Sequence, residues 1–286
     1  MLKIVITGST GLIGSRIVEL LKGDFEFIQL IEGQIDIREK DGVWKVLKKL
    51  DFDILFHLAA YTNVDGAEKE KEKAQLVNVK GTKNVLEAVS QKKKKLIYVS
   101  TDFVFDGIRR IGEPPYYEYS KPHPISYYAQ TKYEGEKLVK NHAMILRFSY
   151  PYRSFFEPKQ DFMRRLKSYL EQKRKLQLMT DTIITPTFVD DIAYATKYLF
   201  NNFAPEIFHV VGRDSLSPYD AGKLIAKTFT LDESLVEPTT YNEYSKNKAN
   251  RPQFSEIKTK KNNFYRMKSF EEGLEEIKTQ ILSSNF

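Results

Sequence analysis

In SYYAQTKYEGEK (residues 126–137), two tyrosines each precede a lysine by four positions, giving the pairs Tyr128/Lys132 and Tyr133/Lys137. A phenol titrates near 10 and is a poor acid–base group at neutrality. An ammonium held close favours the phenolate and brings the phenol into working range, where it can move a proton to or from a carbonyl or alcohol. Residues four apart share a helical face. At 100° per residue, Tyr133 and Lys137 point about 140° away from Tyr128 and Lys132. The stripe through Tyr128 runs over Ala129, Lys132, Gly135, Leu138 and Val139, small or apolar groups suited to packing on a sheet. The stripe through Tyr133 runs over Lys137 and Lys140, which want water. Tyr128 and Lys132 therefore read as the working pair and Tyr133/Lys137 as surface. The plain alternative is a core tyrosine beside a snorkelling lysine.

A second group of residues could hold a cofactor. ITGSTGLIG places Gly8, Gly11 and Gly14 directly after an apolar run and at the opening of a helical one. Glycines let the backbone turn tightly and approach a pyrophosphate, whose charge is met by free N–H groups and the helix dipole. A lone glycine triplet is more often a plain turn, but the strand–turn–helix context points to a dinucleotide site. At the end of the second apolar run, Glu32 stands where a carboxylate accepts from a ribose 2′-OH and repels a 2′-phosphate. That leans towards NADH; Arg38 nearby keeps NADPH open, and Glu32 as a plain turn residue is an equal alternative. A third group lies in VSTDFVFDG (residues 99–107). Thr101 at the carboxyl end of a central strand would hydrogen-bond a substrate carbonyl oxygen beside Tyr128. Ser100 reads as packed, and Asp102 either caps a local turn or takes part in chemistry.

These groups must be positioned by a scaffold, and the hydrophobic pattern supplies one. KIVI (3–6), FEFIQLI (25–31), DILFHL (53–58), KLIYVS (95–100) and AMILRF (143–148) read as buried strands. Between them run LIGSRIVELL, EKDGVWKVLKKL, EKAQLVNVKGTKNVLEAV and YAQTKYEGEKLVKN, all with helical spacing. Such alternation predicts an α/β fold with a doubly wound parallel sheet. After Phe148 the rhythm changes to a loop, a helix (DFMRRLKSYLEQ), a short strand (KLQLM) and a sheet-covering helix (VDDIAYATKYLFNN). IFHVVG (207–212) then returns to the first sheet. The tail predicts helices near Tyr219–Phe229 and Ser269–Leu282 around a turn-rich basic segment.

The spacing G-x-x-G-x-x-G, with the later Tyr-x-x-x-Lys, resembles the extended short-chain dehydrogenase/reductase superfamily. The resemblance implies a Rossmann-type nucleotide domain over 1–149 plus about 188–212. A smaller, C-terminal sugar-nucleotide domain would take about 150–187 plus 213–286. It also implies that Thr10, Leu12 and Ile13 line the pyrophosphate, and that Asp36 and Ile37 meet the adenine. Leu58, Ala59 and Ala60 would pass under the riboses, while Asn78 steadies the active-site helix and its water. Lys132 would also bond the nicotinamide ribose.

Within that superfamily, HLAAYTNVDGAEKEKEKAQLVNVKG (57–81), STDFVFDG (100–107) and YYAQTKYEGEK (127–137) resemble the dTDP-4-dehydrorhamnose reductases. Weaker echoes follow in LRFSYPY, DFM, DTIITPT and NRP. The resemblance implies reduction of a nucleotide-activated 4-keto-6-deoxysugar by NADH or NADPH, with Thr101, Tyr128 and Lys132 catalytic. Val64, Asp65, Thr101, Asp102, Phe103, Tyr150 and Phe162 would lie near the sugar. Asp181, Pro186 and Thr187 would shape the pocket, and Arg251 would fork onto the diphosphate. Related 4,6-dehydratases carry Thr-Asp-Glu; here Phe103 follows Thr101-Asp102, leaving no carboxylate for elimination. Phe103 and Tyr150 stand where the reductases usually have tyrosine and tryptophan. Two other readings stay open: a non-catalytic regulatory subunit like that of methionine adenosyltransferase, and a sugar-nucleotide epimerase.

The totals agree with a soluble enzyme. The 286 residues allow one or two domains at roughly 100–200 residues each. No apolar stretch approaches the ~18 residues of a membrane span. MLKIVITG reads straight into a strand, without a signal peptide. The absence of cysteine excludes disulfides and thiolate chemistry and fits the cytoplasm. The net charge of +7 gathers in QKKKKL and in the tail from Ser245 to Lys268. It reads as a solvated lysine-rich face, with an anionic partner as the alternative, and without zinc-finger or helix-turn-helix spacing that would mark nucleic acid. No metal ligands are assigned, and a homodimer stays open.

Overall fold

The computed structural model describes residues 1–108, 115–246 and 248–283. Its β-branched apolar runs form strands, each followed by a helix that covers the sheet. β1 (Lys3–Thr7) leads to α1 (Gly14–Leu21), and β2 (Glu26–Leu30) to α2 (Lys40–Leu47). β3 (Ile54–His57) opens a longer crossover of α3 (Val64–Lys69), α4 (Lys71–Gln75), a stretch of π-helix (Leu76–Gly81) and α5 (Thr82–Gln91). β4 (Lys95–Thr101), α6 (Tyr127–Val139) and β5 (Ala143–Phe148) end the regular alternation. β6 (Pro151–Tyr152), α7 (Phe162–Glu171), β7 (Leu176–Met179) and β8 (Thr187–Phe188) come next, followed by α8 (Val189–Asn201) and β9 (Ile207–His209). The tail holds α9 (Pro218–Thr228), β10 (Val236–Thr239), α10 (Tyr241–Tyr244) and α11 (Phe270–Ser283).

Six strands pair in the order β2-β1-β3-β4-β5-β9, every pair parallel. The winding reverses between β1 and β3, so the carboxyl ends of these strands open a crevice where α/β sheets take ligands. Alternation along β1 sends Ile4 and Ile6 to one face, with Ile17, Ile192 and Phe200, and Val5 to the other, with Leu55, Val85 and Tyr98. A third cluster, including Met163, Leu170, Ile225, Phe270 and Leu274, seals α7, α9 and α11 around the β7–β10 pair. Burying each such side chain is worth roughly 1.5–3 kcal/mol.

Residues 250–258 tie the tail back to earlier parts of the chain. Phe254 N donates to Gly107 O at 3.1 Å, Ser255 N to Ile183 O at 2.8 Å and Lys258 N to Tyr116 O at 2.9 Å. The expected helix over 72–89 is divided by the π-helical stretch. α3 and the two-residue strands β6 and β8 are too short to show a period. α3 is instead set by Asn63, whose side chain accepts from Gly66 N. The strand expected over 207–212 ends at His209. Asn247, within the basic segment of the tail, lies outside the described residues. Among the described residues no helix is long and apolar enough to cross a membrane, and no cluster of metal-ligating side chains forms.

Candidate active site

The turn between β1 and α1 is built around its glycines. Gly8 has φ +73°, and a Cβ there would stand 2.8 Å from Ala59 N. A Cβ on Gly14 would fall 2.4 Å from Gly8 O. The turn closes through Gly11 N to Gly8 O and Ser15 N to Gly11 O, both at 3.1 Å. No side chain caps α1, whose N-cap is Ile13. Ser15 N and Arg16 N of the first turn are taken by the carbonyls of Gly11 and Ile13, each at 3.1 Å, so an anion here would meet the loop backbone that precedes them, where no side-chain acceptor stands. Two buried hydroxyls at this end of the sheet, Ser9 Oγ and Ser100 Oγ, have no partner. The cradle therefore fits a dinucleotide by backbone shape and by donors in search of an acceptor.

Around it, Thr10 and Gly11 are exposed, and Leu12, Ile13, Leu58, Ala59 and Ala60 are half-buried. Glu32 is exposed beyond β2. Arg38 forks onto Asp36, with Nε–Oδ1 at 2.9 Å and Nη2–Oδ2 at 2.7 Å, and holds that carboxyl below its ordinary range. Ile37 is buried, and its carbonyl accepts from Asn84 Nδ2 at 2.9 Å.

α6 begins at a Ser126 cap that accepts from Ala129 N. It buries Tyr128, Ala129, Thr131, Lys132, Gly135, Glu136 and Val139. Gly135 is required because a Cβ there would meet Tyr98 Oη at 2.3 Å. Lys132 Nζ donates to Val99 O at 2.8 Å and stands 4.3 Å from the Tyr98 ring centroid. Burial pushes it down to about 7, against the charge of Glu136. Glu136 in turn receives Arg147 through Nε at 2.9 Å and Nη2 at 2.7 Å. His209 donates from Nδ1 to Lys258 O at 2.7 Å, so its Nε2 accepts from Arg147 Nη1 at 3.3 Å. Asn78, in the π-helical stretch, accepts from Tyr61 N at 2.8 Å and donates to Tyr61 O and to Thr131 Oγ1. It pins α6 to the loop after β3. π-helical turns recur at functional sites.

Two expectations about these tyrosines need correction. Burial, reinforced by the charge of Asp102, pushes the Tyr128 hydroxyl above its usual range, with Thr101 opposing. Lys132 Nζ donates to Val99 O rather than to this hydroxyl. Tyr133 is half-buried, packed against Val104, Phe105, Val211 and Ile257, while Lys137 beside it is exposed.

Thr101 ends β4, and its hydroxyl donates to Asp102 Oδ1 at 3.0 Å while accepting from Phe103 N at 3.3 Å. Asp102 is buried and also receives Ser149 Oγ, at 2.9 Å, and Ser255 Oγ on Oδ2. A row of rings runs outward: Phe103 lies 6.2 Å from Tyr128 and 6.1 Å from Tyr150, which lies 5.8 Å from Phe162. Tyr150 has φ +39°, a conformation a tyrosine seldom takes. Such backbone strain gathers at functional sites. Val64 packs with Phe103, Ala67 and Tyr128.

The remaining candidates divide. Arg251 forks onto Asp65, Nη1–Oδ1 at 3.0 Å and Nη2–Oδ2 at 2.7 Å, closing the tail over α3. The two residues expected at the diphosphate and the sugar thus hold each other. Asp181 accepts from Tyr241 N at 2.7 Å and anchors the start of α10. Thr187 is fully buried and accepts from Gly212 N at 3.1 Å, so its hydroxyl does not reach the crevice. Ser255 carried no periodicity or motif that would have marked it, and Ser149, though inside the LRFSYPY echo, was not singled out there. Only Tyr150, two residues beyond β5, gives a local hint of Ser149.

The family description RmlD substrate binding domain matches residues 2–282. A dTDP-4-dehydrorhamnose reductase of Aggregatibacter actinomycetemcomitans is 32% identical over 77% of this chain and 76% of its own length. The spore coat polysaccharide biosynthesis protein SpsK of Bacillus subtilis is 30% identical over 89% of this chain and 88% of its own. Among solved structures, the dTDP-4-dehydrorhamnose reductase of Bacillus anthracis in complex with NADP has a TM-score of 0.89 at 30% identity, covering 98% of this chain and 99% of that one. A UDP-glucose 4-epimerase of Thermotoga maritima shares the fold, at TM-score 0.82 and 20% identity over 98% and 99%.

Proposed function

Because the chain belongs to the RmlD substrate-binding-domain family, with dTDP-4-dehydrorhamnose reductases among its relatives, we propose that its site carries out their reaction. The protein is an NAD(P)H-dependent oxidoreductase that reduces the 4-keto group of a nucleotide-activated 6-deoxysugar, dTDP-4-dehydrorhamnose to dTDP-rhamnose. The observation that carries this reading is the meeting of Thr101, Tyr128 and Lys132 at the carboxyl end of β4, beside the Gly8–Gly14 cradle.

The cofactor, when bound, supplies the hydride for C4. Tyr128 holds the proton for the sugar oxygen, and its burial keeps that proton in place at neutral pH. Lys132 meets the nicotinamide ribose, and Thr101 polarises the carbonyl. Phe103 provides no carboxylate for the elimination of a dehydratase and leaves an apolar wall, continued by Tyr150 and Phe162. Val64 borders the sugar, and Arg251 turns from Asp65 to the diphosphate as the substrate enters. Asp181, Pro186 and Thr187 support that pocket from behind.

Glu32 favours NADH, while the NADP held by the B. anthracis reductase favours NADPH; kcat/KM with each cofactor decides. The reading places the enzyme in the cytoplasm, acting on a soluble sugar nucleotide as a monomer or homodimer.

The test is a screen of dTDP-, UDP-, GDP- and CDP-linked 4-keto-6-deoxyhexoses, following loss of NADH or NADPH absorbance. One equivalent oxidised per sugar, greatest with the dTDP sugar, is expected. Tightly held NAD without net consumption would make the protein an epimerase. Cofactor binding without turnover of any sugar would make it a regulatory subunit.

A further inference from the structure

We propose that Asp102 is a positioning residue that sets which way the Thr101 hydroxyl points its proton, with Ser149 and Ser255 holding the carboxyl in place. The inference rests on the reductase reading above. Asp102 opens the short helical turn after β4 and is 2% exposed. Four buried carboxylates, Glu136, Asp161, Asp190 and Asp191, each meet an arginine or lysine: Arg147, Arg164, Arg16 and Lys268; Glu118, also buried, instead accepts from two backbone amides and the Thr259 hydroxyl. Asp102 meets no arginine or lysine among the described residues. Its side-chain partners are three hydroxyls, from the preceding residue, from the end of β5 and from the tail. A dry carboxylate without a cation is costly, and burial pushes this one up to about 6.

Hydroxyl hydrogens rotate to suit their neighbours, so the cluster has two self-consistent settings. With Asp102 ionised, Thr101 commits its proton to Oδ1. Phe103 N occupies one of its lone pairs, and towards the crevice Thr101 can only accept. With Asp102 neutral and its proton on Oδ1, that proton is donated to Thr101 Oγ1. The two serines go on donating to Oδ2, and the Thr101 proton turns to the crevice, where an oxygen gaining negative charge would take it. The neutral setting is the catalytic one.

Other charged groups face this cluster from several sides. Tyr128 from α6 and Tyr150 after β5 are both pushed up by burial and then by the charge of Asp102, and keep their protons. Arg251 acts on Tyr150 from the tail. Lys132, one turn along α6 from Tyr128, is buried and is raised by Glu136, one turn further on.

In the wild-type holoenzyme, turnover should fall as pH rises through the Asp102 titration, by up to about a hundredfold, the loss of one donor. Asp102→Asn places an amide N–H against Thr101 and an amide oxygen against the serines, which fixes the donor setting. This variant should lose that limb and keep the later one from Lys132. Thr101→Val should also lose it, and adding Asp102→Asn should change nothing further. Ser255→Ala removes a donor to the carboxylate and should move the limb to higher pH. Aspartate labelled with ¹³C gives a readout without substrate: one carboxyl titrating well above the others, shifted up in Ser255→Ala. A limb that survives Asp102→Asn, or no such carboxyl signal, overturns the proposal. If no sugar is reduced but the carboxyl titrates as described, the reductase reading fails and the two-setting cluster stands; should Asp102→Asn not fold, the label and Ser255→Ala still decide.

Discussion

Replacing Glu136 with Gln removes one charge from the most deeply buried ion pair among the described residues while nearly keeping its shape. The Arg147 and Glu136 side chains are 1% and 4% exposed. What remains is a guanidinium 5.1 Å from the Phe105 ring and 3.3 Å from His209 Nε2, a nitrogen that burial and Arg147 itself keep unprotonated. Removing one partner of such a pair costs about 3–5 kcal/mol. At ~2.1 cal/mol/K of unfolding entropy per residue, a chain of this length loses ~0.6 kcal/mol per degree, so Tm should drop by about 5–8 °C. Differential scanning calorimetry reads that shift. The double variant Glu136→Leu with Arg147→Met should recover much of it, because neither charge is then stranded. A second readout is chemical. Glu136 is the anion that raises Lys132 against its burial. Without it, Lys132 should lose its proton below about 7, and the alkaline fall in kcat should move to lower pH. A Tm within about 2 °C of wild type, or an unmoved alkaline limb, would refute the corresponding half of this reasoning.

Three further outcomes are expected. Tyr128→Phe should slow turnover by roughly 10²–10⁴, whereas Tyr133→Phe, which keeps its packing, should leave it unchanged; equal effects would reverse the assignment of the working pair. Gly14→Ala puts a methyl 2.4 Å from Gly8 O and Gly11→Val crowds the pyrophosphate path, so both should weaken cofactor binding by calorimetric titration. Gly23→Ala, with nothing within 4 Å, should not, and an unchanged affinity in Gly14→Ala would remove the site. Burial and then Lys132 hold His57 down to about 3. Its contribution is therefore complete above the unfolded value near 6.5 and is lost towards pH 3, at ~1.4 kcal/mol per pH unit. Melts of His57→Gln should show a shallower acid loss than wild type, and identical slopes would count against it.

Much of the first half of the chain was legible because its signals are local. β-branched runs such as KIVI have only a parallel core strand to form, and the glycine turn must follow one. The choice of Tyr128 over Tyr133 came from helical geometry, and α6 does bury the stripe from Tyr128 to Val139. What remained hidden depends on partners distant in sequence. Tyr133 is half-covered because the turn after β4 and Ile257 pack on the outer flank of α6. The direction of Lys132 Nζ follows from the register of β4, which no spacing on α6 reveals. Ser149 and Ser255 acquire meaning only when β5 and the tail meet at Asp102. Arg251 was expected at a phosphate because of its chemistry; that same chemistry suits the carboxylate of Asp65 across the crevice. The π-helical stretch around Asn78 left no trace in the pattern.

The contact between Ser255 and Asp102 also orders events in time. A ribosome adds about 5–20 residues each second, and Thr101, Tyr128, Lys132 and strands β1 to β5 are all made while the later residues are still unborn. The sixth strand waits for Ile207–His209, and the last hydroxyl bracing Asp102 waits for Ser255. The glycine turn can close on its dinucleotide seconds before the threonine it serves has been set. The newborn chain thus completes its strand–glycine turn–helix long before the brace on Asp102 exists, and α11, whose Phe270 and Leu274 enter the third cluster, comes later still.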